Sequence, residues 1–370
     1  DGGYTAANEP ARYSKRYTGA LLDVVNMNFA EFFPAAAATA NELRERGGPE
    51  RLRYMTHAWL VTLYLHCPPR QGLTCPSAAA LSSFRAAVQR GDIWWHAMPH
   101  NAELATMAPE TIRAAIGVTH AVDDELSVPR KKVASQRDVP GLPRAVIPLM
   151  KSEGVVAISV GANGAVIAPN VPPVFIAKDG EPANSKVAAV ASAAARRAGL
   201  NVSTPSGEEM LMLFHPNGYG KVPPLGAPAG SKSQPGGPAA SKGNQNRAPD
   251  YAQLPGCSTV VVYAWRKDNS GPPNATEVMS DFADAGAWFP GATVVAGTFD
   301  EFVDEAIASG ATSRLPTISS DLSDSWLMGM PSDPVKLQRM RAVDRAVTAA
   351  HRPQPPSATM ANFTRQYIKG

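Results

Sequence analysis

Long apolar runs are missing from this chain. No segment approaches the roughly 18–20 consecutive apolar residues that a bilayer-spanning helix needs, so no helical membrane span is expected. Cysteine is scarce: Cys67, Cys75 and Cys257 are the three in 370 residues. A fold stapled throughout by disulfides is thereby excluded. One local pairing stays open, because Cys67 and Cys75 bracket a Pro/Gly-containing span that either closes into a disulfide loop or holds two ordinary buried thiols. An excess of one charge is lacking as well. The 35 Lys and Arg against 32 Asp and Glu leave a net +3, too small and too dispersed for a nucleic-acid groove. No signal or transit peptide is visible. The chain opens on Asp1-Gly2-Gly3-Tyr4 without Met, and the natural N-terminus is expected upstream. The compartment is open, with Asn-x-Ser/Thr triplets at Asn201, Asn274 and Asn362 leaning weakly towards the secretory pathway. Also absent are a Gly-x-Ser-x-Gly elbow, a His-Glu-x-x-His zinc motif, a Cys-x-x-Cys pair and a Gly-rich dinucleotide fingerprint. Hydrolases and dehydrogenases built on those devices are not expected.

What is present describes a globular α/β protein. Hydrophobic residues make up 44% and charged residues 18%, enough to bury a core. Residues 9–46 read as helical, with Pro34 interrupting and Gly47-Gly48 stopping the pattern. Residues 52–65 read as a buried strand plus its exit. A helix follows from Pro76-Ser77 through Val88, closed by Gly91. Further on, 93–95 reads as strand, 108–118 as helix, 133–138 as strand, 143–151 as helix and 155–160 as the clearest strand. An Ala-rich helix at 187–198 and strands at 210–214 and 259–265 come next. Then come a helix at 277–287, a strand at 292–296, a capped helix from Thr298 to Ile307, a short strand at 315–318 and a helix at 335–350. About seven or eight strand–helix units in sequence favour a parallel sheet with crossover helices. Residues 218–250, rich in Gly, Pro, Ser, Ala and Lys, read as a flexible insertion within one large domain.

In such architectures chemistry gathers at the carboxyl ends of strands. Four places qualify. In Ser135-Gln136-Arg137-Asp138-Val139-Pro140-Gly141 a strand ends in a carboxylate that can be nucleophile, base or metal ligand, or else a helix cap or a partner for Arg137. In Asp92-Ile-Trp-Trp95-His96-Ala-Met-Pro99-His100-Asn101-Ala-Glu103 aromatic and polar groups combine as sugar sites do. Pro99 argues against a helical His96/His100 metal pair and for hydrogen-bonding histidines in a pocket wall. Thr56-His57-Ala58-Trp59 ends an early strand, where a lone His is more often a core residue. Ser319-Ser320-Asp321-Leu322-Ser323-Asp324-Ser325-Trp326 offers two carboxylates and an aromatic, in what is more often a surface turn.

In this order the segments resemble glycoside hydrolase family 38, the α-mannosidases. Residues 136–154, from Gln136-Arg137-Asp138 through the Pro/Gly turn to Gly154, are similar to the family's nucleophile segment. Residues 91–103 resemble its polar strand end, and Arg53-Tyr-Met-Thr-His57-Ala-Trp59-Leu60 an early active-site strand. Asp1-Gly2-Gly3-Tyr4-Thr5 looks like the tail of its opening His-x-Asp motif. Asp324-Ser-Trp326-Leu-Met-Gly329 and Ser332-Asp333-Pro334 bring the chain nearest to a family-38-like group outside the well-studied mannosidases.

The resemblance implies a seven-stranded β/α barrel, cut short at both ends, that holds one zinc ion and acts on α-mannosides or related sugars with retention of configuration. It makes Asp138 both nucleophile and zinc ligand, and Asp1 a second ligand. His57, Trp59, Trp95, His96, Asn101, Glu103, Arg137, Asp324 and Trp326 become the sugar-binding set. One departure stands out: where a general-acid carboxylate is expected, this chain has His100-Asn101, so that His100 or Glu103 takes the role or the activity has changed. The chain also ends at Gly370, ahead of an expected downstream His segment. A catalytically decayed sugar-binding barrel and a metal-dependent deacetylase are the alternatives.

Overall fold

The computed structural model describes residues 21–68, 72–139, 141–162, 171–180, 207–215, 251–264, 271–322 and 333–350. The expected insertion at 218–250 and the Ala-rich helix at 187–198 lie outside them. The chain divides into two compact units: residues 1–95, 122–128 and 268–298 form one, and the remainder the other.

The first unit is mainly helical. Helix α1 (Leu21–Met27) runs through a π-turn, Asn28–Phe32, into α2 (Phe33–Glu45). Pro34 does not break this helix. It directly follows the π-turn, where Phe33 N–H bonds Asn28 O and the regular i→i−4 ladder is already interrupted. Strand β1 (Tyr54–Thr56) precedes α3 (Ala58–Leu65), and α4 (Ala78–Gln89) leads to β2 (Ile93–Trp95). β1 and β2 pair in parallel, Tyr54 against Ile93 and Thr56 against Trp95. The run 52–65, expected as a buried strand plus its exit, holds three strand residues, and the exit after His57 is a helix. A helix buried nearly all round shows no polar stripe, so periodicity cannot separate it from a buried strand.

Phe29, Phe33, Tyr64 and Phe84 form the aromatic centre of this unit, with Tyr64 about equally close to Phe33 and Phe84, at 4.9 Å between ring centroids. Each such buried side chain contributes about 1.5–3 kcal/mol. Asp92, 1% exposed, receives Arg44 at 2.6 Å and Arg90 at 2.9 Å, which ties α2 and the end of α4 to the start of β2. Cys67 and Cys75 are joined in a disulfide. The loop it closes rests on α1, where Asn26 donates to Gly72 O and accepts from Thr74 N. Helix α7 (Ala275–Trp288) starts at a full capping box between Asn274 and Glu277. Residues 292–298, partly expected as strand, carry no regular structure, and Val295 is 72% exposed. A β-branched run becomes a strand only where a partner accepts its ladder.

The second unit is built on a five-stranded sheet. Its strands are β3 (Val133–Asp138), β4 (Ala157–Ala162), β5 (Val174–Lys178), β6 (Glu209–His215) and β9 (Thr317–Ile318), in the order β3-β4-β6-β5-β9. β3, β4 and β6 are parallel, β5 is antiparallel to β6, and β9 follows the direction of β5. The sheet is thus mixed, not wholly parallel, and among the described residues it does not close into a barrel. A short antiparallel pair, β7 (Tyr251–Gln253) and β8 (Val260–Val262), lies beyond β6 in the chain.

Alternation along the strands builds two faces. Ala134, Ile158, Val160, Phe175, Met212 and Phe214 pack with Ile112 and Ile116 of α5 (Pro109–Glu125) and with Ile147 and Met150 of α6 (Ile147–Ser152). Val133, Ala157, Val174, Leu211 and Leu213 pack with Phe302, Val303 and Ala306 of α8 (Phe299–Ala308). Asp300 of α8 accepts from the N–H groups of Lys132 and Val133, fixing where β3 begins. The last helix, α9 (Pro334–Ala350), is held to α5 through Thr111 and Asp344.

Candidate functional site

The carboxyl ends of β3 and β4 carry a polar grouping. Residues 97–102 run alongside β3. Ala97 N–H donates to Val133 O, and the Gln136 side-chain amide then bonds Ala102 both ways: Oε1 accepts from Ala102 N at 2.9 Å and Nε2 donates to Ala102 O at 2.7 Å. One residue on, Asn101 does the same to the Arg137 backbone, donating to its O at 2.5 Å and accepting from its N at 3.0 Å. Two side-chain amides thus imitate a ladder and cover the edge of β3. Asn101 is committed to the scaffold.

His100 projects from this clamped segment. Its Nδ1 lies 2.8 Å from Asn101 O. A carbonyl can only accept, so Nδ1 carries the proton and Nε2 keeps its lone pair. Burial holds the imidazole below its ordinary pKa, against the opposing effect of that hydrogen bond. His100 therefore presents Nε2 as a hydrogen-bond acceptor at neutral pH.

Arg137 stands opposite Gly161 in the β3–β4 register. A side chain at 161 would run into the Arg137 guanidinium; the missing Cβ is what leaves the cation room over the strand. The same face carries Ser135 and Ser159, also in register and both buried. Ser159 Oγ has no hydrogen-bond partner among the described residues. Sequence reasoning gave no separate role to Ser135 and Gln136 within the candidate segment, and none to Ser159 or Gly161. The matching pattern in Val133-Ala-Ser135-Gln-Arg137 and Ala157-Ile-Ser159-Val-Gly161, small or polar at the same face of both strand ends, was the signal available.

The other expected residues divide between the two units. Asp138 is the last residue of β3, level with Ala162. Its side chain lies outside the described structure, as do Asp1, Asp324 and Trp326. Glu103 is half-buried just before a 3-10 turn, Leu104–Thr106, and its carbonyl accepts from Thr106. His96 is buried with its ring 5.6 Å from that of Phe299. In the first unit, His57 precedes α3 and Trp59 packs half-buried against the core. Trp95 corrects its expectation. It is 0% exposed, with its indole N–H donated to Asp123 at 2.8 Å, so no ring face is left for a sugar. Among the described residues no three His, Cys, Asp or Glu come together as a metal site, and no helix is long and apolar enough to cross a membrane.

No family model and no curated protein matches the chain. Among solved structures it is similar to an alpha-mannosidase from Enterococcus faecalis, at 12% identity and a TM-score of 0.38, over 78% of this chain and 28% of that one. It is also similar to a 4-alpha-glucanotransferase from Thermococcus litoralis, at 11% identity and a TM-score of 0.30, over 50% of this chain and 25% of that one. The chain thus spans about a quarter of the length of each.

Proposed function

We propose that this chain is part of a retaining glycoside hydrolase acting on α-mannosides or related sugars, with residues on a β/α barrel of the family-38 type. The observation that carries the reading is the end of β3. Arg137 and Asp138 close a strand that lies parallel to β4, beside a segment clamped so that His100 is fixed at the same end. In parallel α/β folds substrates meet the protein at that end.

The chemistry follows from the residue types. The Asp138 carboxylate attacks the anomeric carbon and forms a glycosyl ester as the glycosidic C–O bond breaks. A carboxylic acid protonates the departing oxygen, and water then hydrolyses the ester with that same residue as base. With His100 held neutral, Glu103 takes the acid role and His100 accepts a hydrogen bond from a sugar hydroxyl. Arg137 orients the ring. Zinc belongs to this proposal only through Asp1 and Asp138, where it would hold a sugar hydroxyl. The described residues supply no donor set that fits the ion, and no step above passes through it.

Replacing Asp138 with Asn tests the assignment. Hydrolysis of an aryl α-mannoside should be abolished with the circular dichroism spectrum unchanged, and retained turnover refutes the nucleophile. A second reading has its own observation. Asn101, standing where an acid is expected, engages its whole amide with the Arg137 backbone, as suits a sugar-binding protein that has lost catalysis. Sugar binding without hydrolysis in zinc-replete buffer would favour it.

A further inference from the structure

We propose that Asn274 is an N-glycosylation site. Two independent observations meet there. The first is the Cys67–Cys75 disulfide, a bond that persists in oxidising compartments and is rare where thiols are kept reduced. Those compartments are where N-linked oligosaccharide is added.

The second is the local geometry of Asn274-Ala275-Thr276. Asn274 and Thr276 are both exposed, while Ala275 between them is buried and anchors the start of α7. Asn274 caps that helix. Its Oδ1 accepts from Glu277 N at 2.9 Å, and its own backbone N–H donates to the Glu277 carboxylate at 2.9 Å. Nδ2, the atom that a glycan would occupy, makes no hydrogen bond among the described residues. The capping box therefore uses the carbonyl half of the amide and leaves the nitrogen half to solvent. N-glycosylation replaces one Nδ2 hydrogen and leaves Oδ1 an acceptor, so the modified residue caps α7 as before. The other two triplets, at Asn201 and Asn362, lie outside the described residues.

The co-substrate is an oligosaccharide carried on a lipid diphosphate. The bond from Nδ2 to the sugar C1 forms as the bond from C1 to the diphosphate oxygen breaks. The lipid diphosphate leaves, and the proton lost from Nδ2 goes to the transferase's base. Transfer needs the Thr276 hydroxyl for recognition, and the folded chain then has to tolerate the product. An exposed asparagine whose capping bonds use only its side-chain oxygen and backbone N–H meets that requirement without any rearrangement.

The test uses the full chain made through the secretory pathway of a eukaryotic cell, with peptide mapping by mass spectrometry before and after a peptide N-glycosidase. The peptide containing residue 274 should carry a glycan and read as Asp at 274 after the enzyme. Thr276→Ala should abolish the modification at 274, and the variant should unfold at the same temperature as the wild-type protein after the enzyme, because the Asn amide of the one and the Asp carboxylate of the other both cap α7 through Oδ1. An unmodified Asn274 in the wild-type protein overturns the proposal, and so does modification that persists in Thr276→Ala.

Discussion

Reducing the Cys67–Cys75 disulfide is the perturbation whose size can be worked out most directly. The bridge spans a sequence separation of 8. Closing a loop of that length removes on the order of 8 cal/mol/K of entropy from the unfolded chain, about 2.5 kcal/mol at 25 °C. The folded loop has a second anchor, since Asn26 bonds Gly72 O at 3.0 Å and Thr74 N at 2.6 Å. Breaking the bridge should thus destabilise chiefly through the unfolded state, while the loop stays seated on α1. The assay is urea unfolding, followed by tryptophan fluorescence, of the oxidised protein and of the Cys67→Ser/Cys75→Ser variant. The variant should lose about 2–3 kcal/mol. Asn26→Ala should cost more in the variant than in the oxidised protein, because the reduced loop is held by Asn26 and the packing of Leu73 without a covalent tie. Equal stability of the two proteins within about 0.5 kcal/mol would refute the reasoning, since a bridge that constrains nothing in the unfolded state cannot be an entropic staple.

Gly161→Ala should displace the Arg137 guanidinium. Because that group is the free end of a flexible side chain, stability should change by no more than about 1 kcal/mol. Sugar binding, measured by titration calorimetry, should fall as far as in Arg137→Ala; wild-type affinity in Gly161→Ala would show that the guanidinium is not part of the site. Asp92→Ala removes the carboxylate that Arg44 and Arg90 share at the base of β2. Both keep some contact with water, so the loss in chemical denaturation should be about 2–3 kcal/mol, below that of a wholly buried pair; a loss under about 0.5 kcal/mol would deny Asp92 a structural role. Burial pushes the Glu125 carboxyl up, but the hydrogen bonds and charges of His66 and Arg85 outweigh it and hold the group below its usual value. A depressed carboxylate stabilises above its unfolded pKa and loses that contribution as pH falls through the folded value. Glu125→Gln should therefore lower the melting temperature at neutral pH and match the wild type in strong acid, whereas parallel curves across that range would contradict the linkage.

Local pattern alone was enough for β3, read as 133–138 and found as Val133–Asp138, and for β2 at Ile93–Trp95. It also located the helix read at 108–118, which runs on as Pro109–Glu125, and the one read at 277–287, which begins two residues earlier as Ala275–Trp288. In each the apolar spacing or the turn residues lie within a few positions of one another, and short-range sterics decide the outcome. The polar strand end at 135–138 was legible for the same reason. What the site is made of there was not. Asn101 and Gln136 each offer an amide that could have met a sugar, and their bonds run instead to backbone 36 and 34 residues away.

Trp95 shows the same division. Its sequence neighbours suggest a sugar platform, and only the packed core shows both ring faces covered. The direction of β5, the missing partner of residues 292–296 and the pairing of Cys67 with Cys75 were likewise settled in space. A strand's period is written in consecutive residues, whereas its partner depends on which distant segment buries the most apolar surface against it. The sequence by itself therefore determined where strands and helices could form and which residue types reach the strand ends. Tertiary structure decided which of those side chains remain available for a ligand, because burial and hydrogen bonding are set by neighbours that the local chain does not contain.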